Sequence, residues 1–172
     1  LHKAYGGNAK AMEIVSSATL EDFEGDVEAY RDFNQDDLFV ERDLEDLVVQ
    51  QFDRLRQLDV NAYKLLCRMG CYRYQDVPNI PEEGVTCLLW DVSEKQRKRV
   101  IKALKDRSFV EVQNRSYWLH PAIRSEAITR LRSTEDWILA NQSSARFLMN
   151  RIDFVNTREC SDFCVSRFLF KL

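Results

Sequence analysis

The chain contains few of the residues that interrupt helices, with 5 glycines and 3 prolines in 172 residues. So few turn residues favour helices over many short strands. No uninterrupted apolar run approaches the roughly 20 residues that a membrane-spanning helix requires. The remaining composition, 45% hydrophobic and 31% charged, is that of an ordinary globular protein. We therefore expect a mainly α-helical protein without a membrane partner.

The sequence also lacks the phosphate-binding loop G-x-x-x-x-G-K-[ST], because its glycines, at positions 6, 7, 25, 70 and 84, do not fall in that pattern. This loop holds nucleotide phosphates with consecutive backbone amides and a lysine. Paired carboxylates are frequent in residues 21–46, but no constellation of histidine or serine accompanies them. The chain is therefore not predicted to be an enzyme, and no catalytic residue is assigned.

The net charge of −3 is distributed unevenly. Residues 1–50 hold 13 acidic and 4 basic residues, a net charge of −9, while the remainder holds 15 and 21, a net charge of +6. An acidic first part and a basic second part predict two units with different surfaces.

The cysteines are odd in number, and no apolar leader precedes them, so we expect a reduced, cytoplasmic setting. Cys67 and Cys71 are four residues apart, as are Cys160 and Cys164, so each pair shares a face if its segment is helical. Four thiolates could hold zinc if the pairs met in space. Small buried thiols are the favoured interpretation, and no metal is expected.

Apolar periodicity predicts helices over residues 8–17 and 26–33, and a long helix that starts at Leu38. Asn8 is a candidate N-cap for the first, and Asp59 caps a fourth helix that stops near Gly70. Another helix resumes at residues 81–83. The pair Ser93 and Gln96 predicts a capping box at the start of the helix that ends near residue 108.

Beyond residue 108 the period changes to two. Extended runs at 109–112 and 117–119 flank the polar turn 113–116 and predict a β-hairpin. Two helices followed by a small hairpin predict a winged helix-turn-helix. Pro121 opens a further helix, Ser133 is a candidate N-cap for another through residue 149, and beyond residue 151 the pattern decays.

These elements predict three regions. Residues 1–57 form a small helical domain, residues 58–132 form the winged helix, and residues 133–172 form a helical tail.

Two motifs resemble signatures of the NB-ARC class of STAND signal-transducing ATPases, in the portion C-terminal to the nucleotide-binding core. Residues 5–12 (YGGNAKAM) resemble the helix-start motif, GLPLAL or GGNPLAL, of that family's helical domain. Residues 117–124 (YWLHPAIR) resemble the methionine-histidine-aspartate motif that ends its winged helix. Ala9 stands where the family usually has proline, and Pro121 stands where it often has aspartate.

The likeness covers roughly residues 1–150. Residues 47–55 (LVVQQFDRL) are similar to the helix that enters the family's winged helix. The residues after Ser133 resemble the start of a helical-repeat sensor region, with Trp137, Ala140, Asn141 and Phe147 carrying the likeness.

The resemblance implies a regulatory fragment of a signalling switch that closes over ADP held by an upstream P-loop core. It implies that His120 touches the β-phosphate and that Gly6, Gly7 and Asn8 face the nucleotide. Exchange of ADP for ATP would release the winged helix and permit assembly with protein partners. The implied neighbours are the upstream nucleotide-binding domain and downstream sensor repeats. From the residues alone, a half-exposed histidine at a strand-to-helix junction and a simple helix-entry turn remain alternatives.

A basic helix supports a different function, that of a DNA-binding transcriptional regulator. Its cations stand where a winged helix places its recognition helix: Lys95, Arg97, Lys98, Arg99, Lys102, Lys105 and Arg107. In the major groove, lysine and arginine neutralise phosphates, and Arg97, Lys98 and Lys102 are the candidate contacts. Charge runs on helices are usually solvated, and a pI of 5.5 is low for a nucleic-acid binder.

Overall fold

The computed structural model describes residues 8–34, 44–73 and 80–156, with side chains described as far as residue 151. Within these ranges the protein is mainly helical and has one small antiparallel sheet. In chain order the elements are α1 (Ala9–Phe23), α2 (Val27–Phe33), α3 (Leu44–Leu58), α4 (Val60–Met69), β1 (Ile80–Pro81), α5 (Glu82–Thr86), α6 (Glu94–Asp106), β2 (Glu111–Gln113), β3 (Ser116–Trp118), α7 (Pro121–Arg132) and α8 (Asp136–Asn156).

The predicted N-caps of α1 and α4 are confirmed. The Oδ1 atom of Asn8 accepts a hydrogen bond from the amide of Ala11 at 3.1 Å, and Asp59 Oδ1 accepts one from the amide of Ala62 at 3.0 Å. Each cap satisfies an amide that has no partner inside its helix. Helix α1 is longer than predicted and ends where Glu24 adopts a left-handed conformation, with φ of 53°.

Helix α3 packs its apolar face on α4 and α7. That face is fully buried and consists of Leu47, Val48, Phe52 and Leu55. The predicted start of this helix, at Leu38, lies outside the described residues.

The sheet has the strand order β1–β3–β2, with every pair antiparallel. Tyr117 lies opposite both Ile80 and Val112. The hairpin turn consists of Asn114 and Arg115, whose φ angles are 51° and 62°. Two left-handed residues match the twist of the flanking strands, so a two-residue loop closes this hairpin. Compared with the prediction, β2 begins two residues later and β3 one residue earlier, so Phe109 lies before β2, in ring contact with Phe52 at 5.6 Å.

Two further cap predictions are wrong. Ser93 Oγ donates to the side-chain Oε1 of Gln96 at 3.0 Å, so no side chain caps the amides that begin α6. Ser133 ends α7 instead of starting α8, because its Oγ donates to the carbonyl of Arg130 at 2.7 Å. Helix α8 begins three residues later, at Asp136, and runs to Asn156.

One hydrophobic core connects α1 to α8, from Ala11 to Ala140. It crosses the positions 57/58 and 132/133 where the sequence predicts boundaries, and those boundaries stay a prediction. No described helix combines the length and apolar composition that spanning a bilayer requires.

The end of α4 approaches α7 so closely that only glycine fits. A Cβ atom on Gly70 would lie 2.8 Å from the backbone nitrogen of Ile128 and 3.0 Å from the Cβ of Ala127. The backbone of Gly70 is right-handed, with φ of −59°, so backbone conformation does not require glycine here. Close packing with α7 does.

We expect Gly70→Ala to lower the free energy of unfolding by about 1–3 kcal/mol, because the added methyl group forces two helix backbones apart. The exposed Asn61 on the same helix provides a control, and Asn61→Ala should change stability by less than about 0.5 kcal/mol. Chemical denaturation measures both. A Gly70→Ala protein as stable as the wild type would show that α4 and α7 do not pack at this distance.

Candidate functional site

His120 lies between β3 and α7 and is the N-cap residue of α7. Its Nδ1 atom accepts a hydrogen bond from the amide of Ala122 at 3.3 Å. A neutral imidazole that accepts at Nδ1 carries its proton on Nε2. The half-buried ring therefore presents an Nε2–H donor, for which the described part of the chain supplies no acceptor.

The start of α1 lies close to the same end of the hairpin. Lys10, which is 8% exposed, places its Nζ atom 3.2 Å from a carboxylate oxygen of Glu111 in β2. Glu111 pairs with Trp118 in β3, and His120 follows two residues later. This ion pair attaches the first turn of α1 to β2, the strand that pairs with the strand before His120. Gly6 and Gly7 lie outside the described residues.

Polar contacts fix α1 along the end of α6. Ser17 Oγ and Ser108 Oγ share a hydrogen bond of 2.7 Å. Asp22, whose side chain is 4% exposed, accepts from Arg107 Nη2 at 2.5 Å and from Arg54 Nε at 2.5 Å. Burial by itself would raise the pKa of Asp22, but the hydrogen bonds and charges of Arg107 and Arg54 outweigh burial and hold that pKa below its ordinary value. Asp22 is therefore a buried carboxylate anion at neutral pH.

The basic helix α6 offers fewer free cations than the sequence predicts. Arg97 is half-buried, and its Nε donates to the carbonyl of Val92 at 3.1 Å. Lys102 forms an ion pair with Asp106 one turn later. Of the three candidate DNA contacts, Lys98 is the exposed one for which the described residues show no ion pair.

An ion-pair cluster around the buried Arg68, which the sequence reasoning missed, lies where α4, α8 and the segment before α6 meet. Arg68 is 1% exposed and donates to Asp91 at 2.6 and 2.8 Å and to Asp136 at 2.9 Å. Its guanidinium also stacks over the ring of Trp90, 3.9 Å from the ring centroid. The hydrogen bonds from Arg68 hold the pKa of Asp91 well below its usual range. The sequence carried one signal for this cluster: Arg68 lies on the apolar stripe of a predicted helix, where a charged residue needs buried partners.

The described thiols are unsuited to metal binding or nucleophilic chemistry. Burial raises the pKa of Cys67 to about 11 and that of Cys71 to about 12, so both are protonated at neutral pH. Burial also raises the pKa of Cys87. Among the described residues, no group of three or more His, Cys, Asp or Glu side chains is placed to hold a metal ion. Cys160 and Cys164 lie outside those residues.

A shallow depression of about 570 Å³ opens between α5 and α6. Its lining residues are Glu82, Glu83, Thr86, Cys87, Trp90 and Arg97. The two carboxylates repel phosphate, so this depression does not suit a nucleotide. The residues with nucleotide-facing potential, His120 and Asn8, are not part of it.

Comparison with known proteins gives one partial likeness. An uncharacterized WD repeat-containing protein from Nostoc sp. is 42% identical to the chain over 55 residues. Those residues are 32% of this chain and 4% of that relative, so the match spans a small part of a much longer protein. No family model matches the chain, and no solved structure matches it.

We expect Asp22→Asn to destabilise the protein by about 3 kcal/mol at pH 7, since it leaves two guanidinium groups without their buried counter-charge. The matched control is Asp32→Asn, because Asp32 pairs with Arg31 on the surface and should contribute less than about 0.5 kcal/mol. Denaturant titrations measure both changes.

The same variant has a pH signature. The folded pKa of Asp22 is lowered, so its contribution is complete above the unfolded carboxylate pKa of about 4 and is lost as the pH falls through the folded value. The stability difference between wild type and Asp22→Asn should therefore be constant from pH 8 to about pH 5 and shrink in more acidic solution. A difference independent of pH down to pH 2 would contradict the assigned ion pairs.

Proposed function

We propose that this chain is the regulatory portion of an ADP/ATP-dependent signalling switch. Its helical unit and a winged helix close over ADP that an upstream P-loop core holds. The observation that carries the proposal is the hydrogen bond from Ala122 to His120, which leaves an Nε2–H donor at the strand-to-helix junction. Such a donor suits a phosphate oxygen, because hydrogen bonds to a charged acceptor are stronger than those to a neutral one.

The order of elements supports the winged-helix part of the proposal. Helices α4, α5 and α6 are followed by the β2–β3 hairpin, and β1, which lies between α4 and α5, adds to the hairpin through β3. Three helices followed by a hairpin, with a third strand paired to that hairpin, are the elements expected of a winged helix-turn-helix. The half-buried His120 then lies two residues after the last strand, where the resemblance expects the phosphate contact.

The position of α1 supports a shared surface. Lys10 pairs with Glu111 and so attaches the first turn of α1 to the sheet. We propose that the helix start at Asn8 and the imidazole of His120 contribute to one anion site. Helix starts favour anions because their first amides are unpaired. The chain contributes no catalytic group in this mechanism, and hydrolysis belongs to the upstream core.

The partial relative fits a switch with repeats. It is a WD repeat-containing protein far longer than this chain, and the proposed switch carries sensor repeats downstream. WD repeats form β-propeller blades, unlike the helical repeats predicted for residues 133–172. The helical tail would then connect the winged helix to the sensor, and the protein would act in the cytoplasm, where the free thiols of Cys67, Cys71 and Cys87 stay reduced.

The test begins with the coding DNA upstream of Leu1. There we expect an in-frame segment that encodes a β-strand followed by G-x-x-x-x-G-K-[ST]. In the complete protein, His120→Ala should release ADP about tenfold faster, since one hydrogen bond to a charged phosphate is lost. His120→Asn should release ADP as fast, because asparagine keeps the helix cap but lacks the Nε2–H donor. Retention of radiolabelled ADP on a filter measures both rates.

The two variants separate capping from phosphate binding. If His120→Ala releases ADP and His120→Asn does not, the residue acts by capping α7. Unchanged ADP retention in both would remove His120 from the mechanism.

The alternative function, a DNA-binding regulator, is favoured by one observation. Lys95, Lys98 and Arg99 are exposed on adjacent turns of α6, and Arg115 is exposed at the hairpin tip. Residues three and four apart share a helix face, so the three cations of α6 form one basic surface. A recognition helix with a basic face is a known way to contact a duplex.

The switch proposal expects no binding of duplex DNA at low salt. The DNA alternative instead expects binding that weakens with salt, and Lys98→Gln with Arg99→Gln should reduce the slope of log K against log salt by about two. Arg31→Gln on α2 is the control, since it removes an exposed cation outside the basic surface. Fluorescence anisotropy of a labelled duplex across a salt series decides between them.

A further inference from the structure

Helix α8 leaves several large apolar side chains exposed to solvent. Ile138 is 66% exposed and Met149 is 57% exposed. On the inner face the buried Ala140 is small, and Trp137 and Leu148 pack against the core only in part. Burial of apolar area stabilises in proportion to that area, so this partial burial limits the stabilisation that the inner face provides. Two specific contacts add to it.

The first contact is ionic. Asp136, in the first turn of α8, accepts a hydrogen bond from Arg68 Nε at 2.9 Å. If α8 moved away, Arg68 would keep both bonds to Asp91 and its bond to the carbonyl of Leu88 at 2.9 Å. The buried guanidinium therefore stays neutralised whether or not Asp136 is present. Departure of α8 would leave no unpaired buried charge, which is the main cost of breaking an ion pair.

The second contact is steric. The ring of Phe147 lies against Gly84 in α5, so closely that a Cβ on this glycine would stand 2.7 Å from Phe147 Cε1. The same Cβ would stand 2.9 Å from Ile80 in β1. Phe147 thus fills the space that is open because Gly84 has no side chain, next to β1.

We propose that α8 is a reversibly seated helix whose two contacts, Asp136 on Arg68 and Phe147 on Gly84, couple the segment after α8 to the sheet and helices before it. The regulatory meaning of this coupling rests on the proposed function, since a sensor downstream of α8 would act on the winged helix through these contacts. The seated and released positions form the two states that such coupling requires.

Hydrogen exchange on the 172-residue chain tests the seating directly. Asp136→Asn should speed amide exchange in α8 at least about tenfold, while exchange in α4 and α7 stays as in the wild type. The matched control is Glu135→Gln, because Glu135 is exposed and its substitution removes the same charge beside the same helix start. Any effect common to both variants belongs to the helix dipole and not to Arg68.

Phe147→Ala examines the second contact in the same way, with Met149→Ala as the control on the exposed side of the helix. We expect Phe147→Ala to speed exchange in α8 alone and Met149→Ala to leave it unchanged. The proposal is overturned if the Asp136 and Phe147 variants speed exchange equally throughout α4 to α8, because α8 then opens only with the whole protein. It is also overturned if neither variant changes exchange in α8.

This experiment is independent of nucleotide. If α8 does not open separately, the ADP retention of the His120 variants still tests the switch. Unchanged ADP retention in those variants leaves the exchange result on α8 intact.

Discussion

The guanidinium of Arg68 is almost fully buried, and a buried charge must be neutralised where it lies. Two carboxylates, one carbonyl and the face of Trp90 do this, and they come from two separate parts of the chain, residues 88–91 and Asp136. The directions of the five guanidinium N–H groups are rigid, so the partners can occupy few positions. The relative placement of α4 and the segment before α6 follows from this requirement, and Asp136 attaches the first turn of α8 to the same group. The sheet and α7 pack on the frame that results.

Local signals in the sequence predicted a large part of the fold. Asn8 and Asp59 act as caps because a short polar side chain can reach an amide three residues ahead, and that geometry is independent of the remaining chain. The change of apolar period after residue 108 likewise predicted the hairpin, because that pattern is also local in the sequence. Ser93 and Ser133 had the same local signal and misled, because each found a different partner nearby. A serine hydroxyl rotates freely, so sequence does not fix its partner.

Contacts between distant residues could not be predicted. Arg68 and Asp136 are 68 residues apart, and Asp22 and Arg107 are 85 residues apart. No spacing rule connects such pairs. The candidate site shares this limit: the sequence placed His120 at a strand-to-helix junction, but only the structure shows which ring nitrogen is used by Ala122. The basic helix was overcounted for a local reason, because Arg97 and Lys102 bind partners only five and four residues away in the chain.

The outward apolar side chains of α8 have a practical consequence for work on the isolated chain. Ile138 and Met149 contribute exposed apolar area to the surface of α8. At the concentrations used for crystallisation or NMR, such a surface promotes self-association and line broadening. Polar replacements at these two positions leave the core intact, since both side chains are more than half exposed. They are the first changes to make when preparing concentrated samples.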